Sequence, residues 1–490
     1  MFVYCSPLLL QDFPNHLARA VVMSDLLFDH GRQFGQAFTY HFLFVPYVLA
    51  DWLLAGMVRV LGLTGATPLF PVLVFLSLPA ALYIYLRAQQ ASAAATVTVL
   101  LISLYLSTDT FFLLGLLSFR LAVAWVLLAM AVAELLSRRW SGMRYVALVA
   151  VVILGYLTHL TALAFMVIAL GTRSLIRMAL RISGLGRECL LLLPIGCLVI
   201  WHFAIAVDYR QSTDQTAETY IRGTPLTKAA GPVWEFLGYR SYWQLMLLVT
   251  FGLCLVALAW RSARSWTQRQ GREGRVPQAA VLVPWAIALA FLCVYVVLPS
   301  SYSEASFVDV RALAPFWLFL LVGLARMSEC SVPGPSCRGS PAFVLAGVLA
   351  ALGIGYLGKQ LREKDAWLDQ YRSVVAKVPQ GSRVLPVYTG KGGVVRSSLH
   401  AGSYVVMDRL GLIPYLFSGD RGDPMKYFRY VNRPYAPDEG WYVSDLPVSW
   451  TEVAANYSFL LVMRPFEPAR IRLQGRTVAA NEAAILLDIR

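Results

Sequence analysis

Long apolar stretches recur through the chain and constrain its fold more than any other feature. Blocks of roughly helix-spanning length follow one another from Pro68 to Gly358, and a lipid-spanning helix needs about 20 mostly apolar residues. Hydrophobic residues make up 58% of the chain and charged residues 14%, whereas a soluble domain averages about 45–50% and about 25%. The sequence therefore predicts a mainly α-helical, polytopic transmembrane bundle of about ten spans.

The basic residues are distributed as in a membrane protein. The net charge of +14 would suggest nucleic-acid binding in a soluble chain. Outside the C-terminal tail, however, the arginines concentrate in three short regions next to apolar blocks, which is typical of cytoplasmic loops. These are Arg138, Arg139 and Arg144; Arg173, Arg177, Arg181 and Arg187; and Arg261, Arg264, Arg269, Arg272 and Arg275. We therefore predict that these loops lie inside and that no nucleic acid is bound.

Fixing these loops inside gives one consistent topology. The predicted spans are 68–86, 91–107, 111–136, 189–207, 243–260, 279–298, 312–328 and 342–358. Tyr145–Gly171 is apolar throughout but has arginines near both ends. We predict two short helices there that turn near His159, so that both arginine clusters stay inside. A single span with four external arginines is the alternative.

The N-terminal region departs from this pattern. Met1–Leu10 is apolar but too short to span. It is either the last turns of a first helix whose start lies upstream or a short external stub, and it lacks the basic region of a signal peptide. Segment 41–62 carries Pro46 and Asp51, and treating it as a span would put the arginine loops outside. We predict that it forms helices on the outer membrane surface, within a first external loop over 11–67.

From Lys359 onward, charged and turn residues become common. Segment 359–376 predicts an exit helix, and short strand-like runs follow it. These runs are 383–388, 458–463 and 484–489. None of the seven cysteines lies after Cys337, so the tail carries no disulfide. We predict two domains, a membrane bundle over 1–358 and a small external α/β domain over 359–490.

The segment Asp12-Phe13-Pro14-Asn15-His16-Leu17-Ala18-Arg19 combines a carboxylate, an imidazole and a guanidinium. At a membrane surface such groups can transfer a proton and hold an anionic lipid. Pro14 favours the first turn of a helix, which places Asp12 at its N-cap. We predict Asp12 as a catalytic base, with His16 and Arg19 as substrate-binding residues. The alternative is that Asp12 only caps the helix.

Two further charges lie next to the early spans. Asp109 follows one predicted span and precedes another; it is predicted as a second catalytic carboxylate, with a helix cap as the alternative. Arg120 lies about nine residues into the predicted span 111–136, which is about 13 Å deep at 1.5 Å per residue. A charge at that depth is functional by default. A lipid phosphate is its expected partner, and an internal ion pair with a carboxylate is the alternative.

His159 and Arg311 complete the predicted set of substrate-binding residues. His159 is placed at the outer apex of the helical hairpin, where a polar side chain among apolar neighbours suggests a ligand. Arg311 immediately precedes a late span. It is predicted either to hold a phosphate at the interface or to serve as a simple interfacial anchor.

This layout resembles the GT-C superfamily of integral-membrane glycosyltransferases, which includes protein mannosyltransferases and lipid A aminoarabinose transferases. Asp12 falls at the acid of that family's first external loop, and Asp109 at the acid after its third span. The stretch from Tyr47 to Gly62 looks like its surface helices, and Arg311 to Pro315 like its late Arg-to-Pro stretch. The resemblance implies a catalytic acid in the first loop and a polyprenyl-phosphate-linked sugar as the donor.

The resemblance further implies a multi-pass protein of the bacterial inner membrane with its C-terminal domain in the periplasm. Its reaction would transfer a hexose or pentose to a glycan, lipid or protein acceptor of the cell envelope. No organic cofactor is expected, whereas the two external carboxylates could bind Mg²⁺ or Mn²⁺ weakly. A transporter or flippase of lipid-linked sugar and a non-catalytic envelope assembly protein are the alternatives. The absence of a sequence repeat and the external position of the polar residues count against a transporter.

Overall fold

The computed structural model describes residues 10–212, 219–220, 228, 242–267, 275–302, 305–329, 341–388, 399–417, 426–437, 448–464 and 475–490. Most of these residues are helical. The helices are α1 (Phe13–Phe28), α2 (Val48–Ala88), α3 (Ala93–Leu106), α4 (Thr110–Leu113), α5 (Leu117–Arg138), α6 (Gly142–Thr158), α7 (Leu160–Ala179), α8 (Leu185–Ser212), α9 (Tyr242–Thr267), α10 (Arg275–Val297), α11 (Leu313–Glu329), α12 (Pro341–Val375), α13 (Tyr404–Arg409) and α14 (Trp450–Asn456). The strands are β1 (Phe38–Tyr40), β2 (Thr219–Tyr220), β3 (Ser301–Tyr302), β4 (Ala305–Ser306), β5 (Val384–Val387), β6 (Phe428–Tyr430), β7 (Phe459–Met463), β8 (Arg476–Ala480) and β9 (Ala484–Asp488).

Seven stretches of the described chain are helical, long enough and apolar enough to cross a membrane. They are Val48–Ala88, Leu117–Arg138, Leu160–Ala179, Leu185–Ile205, Ala279–Val297, Val310–Ser328 and Pro341–Val375. Three shorter apolar helices accompany them, at Ala93–Leu106, Gly142–Thr158 and Leu245–Trp260. The predicted fold class, a multi-pass helical membrane protein, is therefore confirmed, and every predicted span overlaps one of these helices. Which side of the membrane each loop faces stays a prediction.

The predicted hairpin within Tyr145–Gly171 is also present. The helical run breaks at His159, whose φ of −167° and ψ of 138° are extended. Arg144 at the start of α6 donates to the carbonyl of Leu135, at 2.7 Å. Arg173 near the end of α7 donates to the carboxylate of Glu134, also at 2.7 Å. Because both helix ends meet the same end of α5, α6 leads away from it and α7 returns.

Two glycines interrupt helical runs in the left-handed region that favours glycine. Gly62 (φ 68°, ψ 173°) divides α2, so the predicted surface helix and the span after it are separate helices. Gly115 (φ 76°) ends the turn before α5. The prediction that a span begins at residue 111 was therefore wrong, since α5 begins only at Leu117. Arg120 consequently lies in the first turn of α5 and not deep within the span.

The chain packs as two compact units. The loop–tail unit comprises the described residues within Met1–Leu73, Phe112–Leu117 and Gly358–Arg490; the helical unit comprises those within Val74–Phe111 and Ser118–Leu357. The predicted domain boundary at 358/359 lies next to one of these divisions. The first loop, however, groups with the tail, because β1 pairs antiparallel with β6 and the rings of Phe38 and Phe428 stack at 5.1 Å.

The tail contains both helices and strands. Its four-stranded sheet has the order β5-β7-β9-β8, with β5 and β7 parallel and the other pairs antiparallel. All residues of β5 and β7 are buried, as expected for apolar strands covered on both faces. Segment 359–376, the predicted exit helix, continues α12 from its apolar half without a break. Residues 1–9 lie outside the described residues, so both explanations of Met1–Leu10 stay predictions.

Candidate active site

Asp12 occupies the N-cap position of α1, but its side chain makes no capping hydrogen bond. The backbone carbonyl of Asp12 instead accepts hydrogen bonds from the amides of Asn15 (3.1 Å) and His16 (3.2 Å). Pro14 sits in the first turn, where its missing N–H costs nothing. The structure thus contradicts the alternative that Asp12 only caps α1, because its carboxylate makes no capping hydrogen bond.

The backbone at Asp12 is held by the turn that precedes α5. The amides of Gln11 and Asp12 donate to the carbonyls of Leu113 (3.3 Å) and Leu114 (2.9 Å). Gly115 follows with its positive φ, and a Cβ there would lie 2.7 Å from the amide nitrogen of Phe13. A glycine is therefore required for this turn to approach the start of α1.

One polar face of α1 contacts the tail. Asp12, Asn15, His16 and Arg19 are spaced as neighbours on a helix surface. The side-chain amide of Asn15 donates to the carbonyl of Tyr415 (2.7 Å) and accepts from the backbone N–H of Phe417 (2.8 Å). The ring of His16 packs edge-on against that of Phe417, with centroids 5.2 Å apart. The polar residues that are spaced three or four positions apart in the sequence therefore form the face of α1 that contacts the tail.

Arg19 joins α1, α2 and the tail. Its guanidinium forms a buried ion pair with Asp51 at 2.5 Å and donates to the carbonyl of Phe417 at 2.8 Å. The hydroxyl of Tyr427 donates to the other oxygen of Asp51. Burial opposes the charge of Arg19, but Asp51 and Tyr427 outweigh it and raise the pKa of Arg19. These contacts give Arg19 a structural role, and its contact with a substrate stays a prediction.

His400 of the tail lies beside Asp12. Its Nε2 is 3.5 Å from Oδ1 of Asp12, and the two side chains are 13% and 16% exposed. Burial lowers the pKa of His400 to about 4, so its ring is neutral at neutral pH. The pKa of His16 is lowered well below its usual value by burial, by Arg19 and by His400. The carboxylate of Asp12 therefore faces an uncharged ring.

In the helical unit, Asp109 and Arg120 pair with each other. Nη1 of Arg120 lies 3.2 Å from Oδ2 of Asp109, and both side chains are almost completely buried. Nη2 of Arg120 donates to the carbonyl of Leu106 at 2.5 Å. The structure thus shows the internal ion pair that the sequence left open as the alternative. The predicted catalytic and phosphate-binding roles of these two residues stay predictions.

Phe119 brings Arg311 and His159 together. The guanidinium carbon of Arg311 is 5.8 Å from the centre of the Phe119 ring, and the His159 ring packs edge-on against it at 6.0 Å. Nδ1 of His159 accepts a hydrogen bond from the amide of Thr161 at 3.1 Å and so caps α7. A neutral His159 consequently carries its proton on Nε2.

Sequence reasoning did not single out several residues that the structure places in these clusters. His400 and Tyr427 had no local signal, because their partners lie more than 370 positions away in the chain. Nζ of Lys228 lies 2.8 Å from Oδ2 of Asp309. Asp309 lies two positions before Arg311 in the sequence. Asn15 could have been found, since it shares the helical spacing of Asp12 and His16.

The predicted site residues are divided between the two units. Asp12, His16 and Arg19 belong to the loop–tail unit, and Asp109, Arg120, His159 and Arg311 to the helical unit. Among the described residues, no group of three or more His, Cys, Asp or Glu side chains could hold a metal ion.

No protein-family model matches the sequence, and no curated protein matches it. Among solved structures, the chain is similar to ArnT from Cupriavidus metallidurans in its apo state. The TM-score is 0.53 at 13% sequence identity, and the match covers 96% of this chain and 92% of that chain. At this identity the similarity shows the fold. The chain therefore has the fold of ArnT.

Proposed function

We propose that the protein is an integral-membrane glycosyltransferase of the GT-C type, which moves a sugar from a polyprenyl-phosphate carrier to an acceptor hydroxyl of the cell envelope. The observation that carries the proposal is the ArnT fold over 96% of the chain. It is supported by a carboxylate, Asp12, that stands at the start of α1 and does not cap it. Fold alone does not determine chemistry, so the proposal depends on this side chain.

The proposed reaction is a direct displacement at the anomeric carbon. The Asp12 carboxylate accepts the proton of the acceptor hydroxyl, and the oxygen forms the new glycosidic bond. The bond between the anomeric carbon and the phosphate oxygen breaks, and the polyprenyl phosphate leaves with the bonding electron pair. A base in this position contributes about 10²- to 10⁴-fold to the rate.

The leaving phosphate needs a cation. Arg311, which lies at the start of a late span, is the residue that we propose for the phosphate; its guanidinium packs over the ring of Phe119. A planar guanidinium suits this task, because it can donate two parallel hydrogen bonds to phosphate oxygens.

The proposal places the protein in the bacterial inner membrane with the tail outside. The donor would be a polyprenyl-phosphate-linked hexose or pentose, and the acceptor an envelope glycan, lipid or protein. A dependence of sugar transfer on Mg²⁺ or Mn²⁺ is also part of the proposal. Adding either ion or EDTA to the transfer assay described below tests it.

The test uses the purified full-length chain in lipid nanodiscs. Tritium-labelled polyprenyl-phosphate hexose or pentose is supplied with an envelope extract as acceptor, and label appearing in the acceptor is counted. Asp12→Asn keeps the size of the side chain and removes its basicity, so transfer should fall about 10²- to 10⁴-fold. Asp369→Asn is the matched control, because Asp369 is an exposed carboxylate of the same unit.

Two results would contradict the proposal. An Asp12→Asn chain that is folded and transfers at the wild-type rate would remove Asp12 from the reaction. In proteoliposomes, label that crosses the bilayer while still attached to its carrier, without any product, would identify a transporter instead.

A further inference from the structure

The hydrogen bonds of Asn15 fix the orientation of its side-chain amide. Oδ1 accepts from the backbone N–H of Phe417 at 2.8 Å, and Nδ2 donates to the carbonyl of Tyr415 at 2.7 Å. A backbone N–H only donates and a carbonyl only accepts. The amide therefore cannot be flipped without losing both bonds, which settles which of its ends is the nitrogen.

This orientation determines the tautomer of His400. Nδ2 of Asn15, a donor, lies 3.4 Å from Nδ1 of His400. Nδ1 must then accept, so the single proton of the neutral ring sits on Nε2. Nε2 is the atom that faces Oδ1 of Asp12, at 3.5 Å. Such contacts are often long in the absence of substrate and shorten when it binds.

The ring has little freedom to turn away. Its face is packed edge-on by Phe417, with centroids 4.9 Å apart. His400 is also the N-cap residue of the short 3₁₀ helix Ala401–Ser403, so its backbone is held as well. Both ring nitrogens are engaged, and His400 cannot itself take up a proton while these bonds hold.

We infer that His400, held by Asn15 in the tautomer with its proton on Nε2, donates to the Asp12 carboxylate and positions it as the base. The inference rests on the proposed function and extends it, because it makes the tail contribute to the reacting site. A donor on one carboxylate oxygen fixes the carboxylate plane, so that the carboxylate points in one direction.

A positioning role predicts a particular pattern among substitutions at His400. In His400→Gln, the side-chain amide nitrogen can replace Nε2 as the donor, and kcat should stay within about 5-fold of wild type. In His400→Phe, the donor is lost and kcat should fall about 10- to 100-fold with KM unchanged, as for the loss of one hydrogen bond to a charged group. His41→Phe is the matched control, since His41 is an exposed histidine of the same unit.

The kinetic pattern also separates this role from that of a proton acceptor. If His400 were the base, His400→Gln would be as inactive as His400→Phe, because a glutamine amide cannot accept the proton. That result would overturn the inference. So would a His400→Phe chain with wild-type kcat when Asp12→Asn is inactive.

A second measurement observes the ring in the wild-type protein and does not depend on kinetics. Nitrogen chemical shifts of ¹⁵N-histidine in the wild-type protein distinguish the two neutral tautomers and the imidazolium, and the His400 signals are identified by their loss in His400→Gln. The expected result at pH 7 is a proton on Nε2 only. A proton on Nδ1, or a charged ring, would overturn the inference whatever the kinetics show.

Failure of the proposed function is recognisable separately. A wild-type chain that transfers no label, or an Asp12→Asn chain that still transfers it, overturns the proposed function and this inference with it. An active wild type, an inactive Asp12→Asn and an unaffected His400→Phe overturn the inference alone.

Discussion

Asp12 of the loop–tail unit and Asp109 of the helical unit were both predicted as catalytic carboxylates, and their surroundings differ. Asp109 faces a guanidinium at 3.2 Å, and its side chain is 0% exposed. Asp12 faces a neutral imidazole at 3.5 Å, and its side chain is 16% exposed. Each carboxylate precedes a helix, so sequence position alone does not separate them.

The two carboxylates differ in the group that faces their negative charge. A carboxylate paired with a buried arginine loses most of its tendency to take up a proton, because the proton would leave the arginine charge without compensation. A neutral donor does not impose this cost. Under the proposed function, this difference is the reason for taking Asp12 rather than Asp109 as the base.

The largest effect on stability is expected from breaking the Asp109–Arg120 pair. Asp109→Asn leaves the Arg120 guanidinium buried without its counter-charge, and removing one partner of such a pair costs about 3–5 kcal/mol. The free energy of unfolding in detergent, measured by denaturant titration, should fall by this amount. Asp12→Asn, in contrast, should leave it nearly unchanged.

The double variant Asp109→Asn with Arg120→Met should recover most of the lost stability, because it removes both charges. Arg138→Met serves as the control, since Arg138 is an exposed arginine at the other end of the same helix, and surface changes usually stay within about 0.5 kcal/mol. Full stability of Asp109→Asn alone would remove the distinction between the two carboxylates.

Parts of this comparison were predictable from the sequence and parts were not. The spans and the break at His159 follow from local apolar runs and from charge placement, which act over tens of residues. The ion pair of Arg120 was harder to predict, because it depends on the residue at which α5 begins. The turn at Gly115 moves that start from the predicted residue 111 to Leu117. His400 is 388 positions from Asp12, and no local pattern encodes a contact formed only when the tail folds against the first loop.

Acid should weaken the loop–tail unit. His400 has a pKa of about 4 when folded and about 6.5 when unfolded. Below pH 6.5 the unfolded chain therefore binds more protons, so stability is full above that pH and is lost as the pH falls toward 4. For His400 alone the loss between pH 7 and pH 5 is about 2 kcal/mol.

His16, whose pKa is also lowered, should add to this loss; Asp12 and Arg19 are the charged groups that face the two rings. Hydrogen exchange of segment 399–417 at pH 7 and pH 5 measures the effect. His400→Gln should reduce the difference between the two pH values. Equal protection of the segment at both pH values in the wild type would show that the ring is not held neutral.

A smaller effect is expected at Gly115, which holds the backbone of Asp12. Gly115→Ala adds a Cβ 2.7 Å from the amide nitrogen of Phe13 at a φ of 76°, and the left-handed conformation alone costs about 1–2 kcal/mol. Transfer activity should fall together with stability, because the turn and the start of α1 must separate. Gly142→Ala is the control, since a Cβ there meets nothing within 4 Å. If Gly115→Ala keeps both activity and stability, this turn does not position Asp12.

The smallest effect is expected at the Asp29–Arg59 pair, which tests whether burial or mere pairing separates the carboxylates. Nη1 of Arg59 lies 3.0 Å from Asp29, close to the Asp109–Arg120 distance, but the side chains are 49% and 38% exposed. Water and salt screen such a pair, so Asp29→Asn should change the free energy of unfolding by less than about 1 kcal/mol. The change should shrink further in 1 M salt. A cost as large as that of Asp109→Asn would mean that pairing alone decides the energy, and the contrast between Asp109 and Asp12 would then need an explanation other than burial.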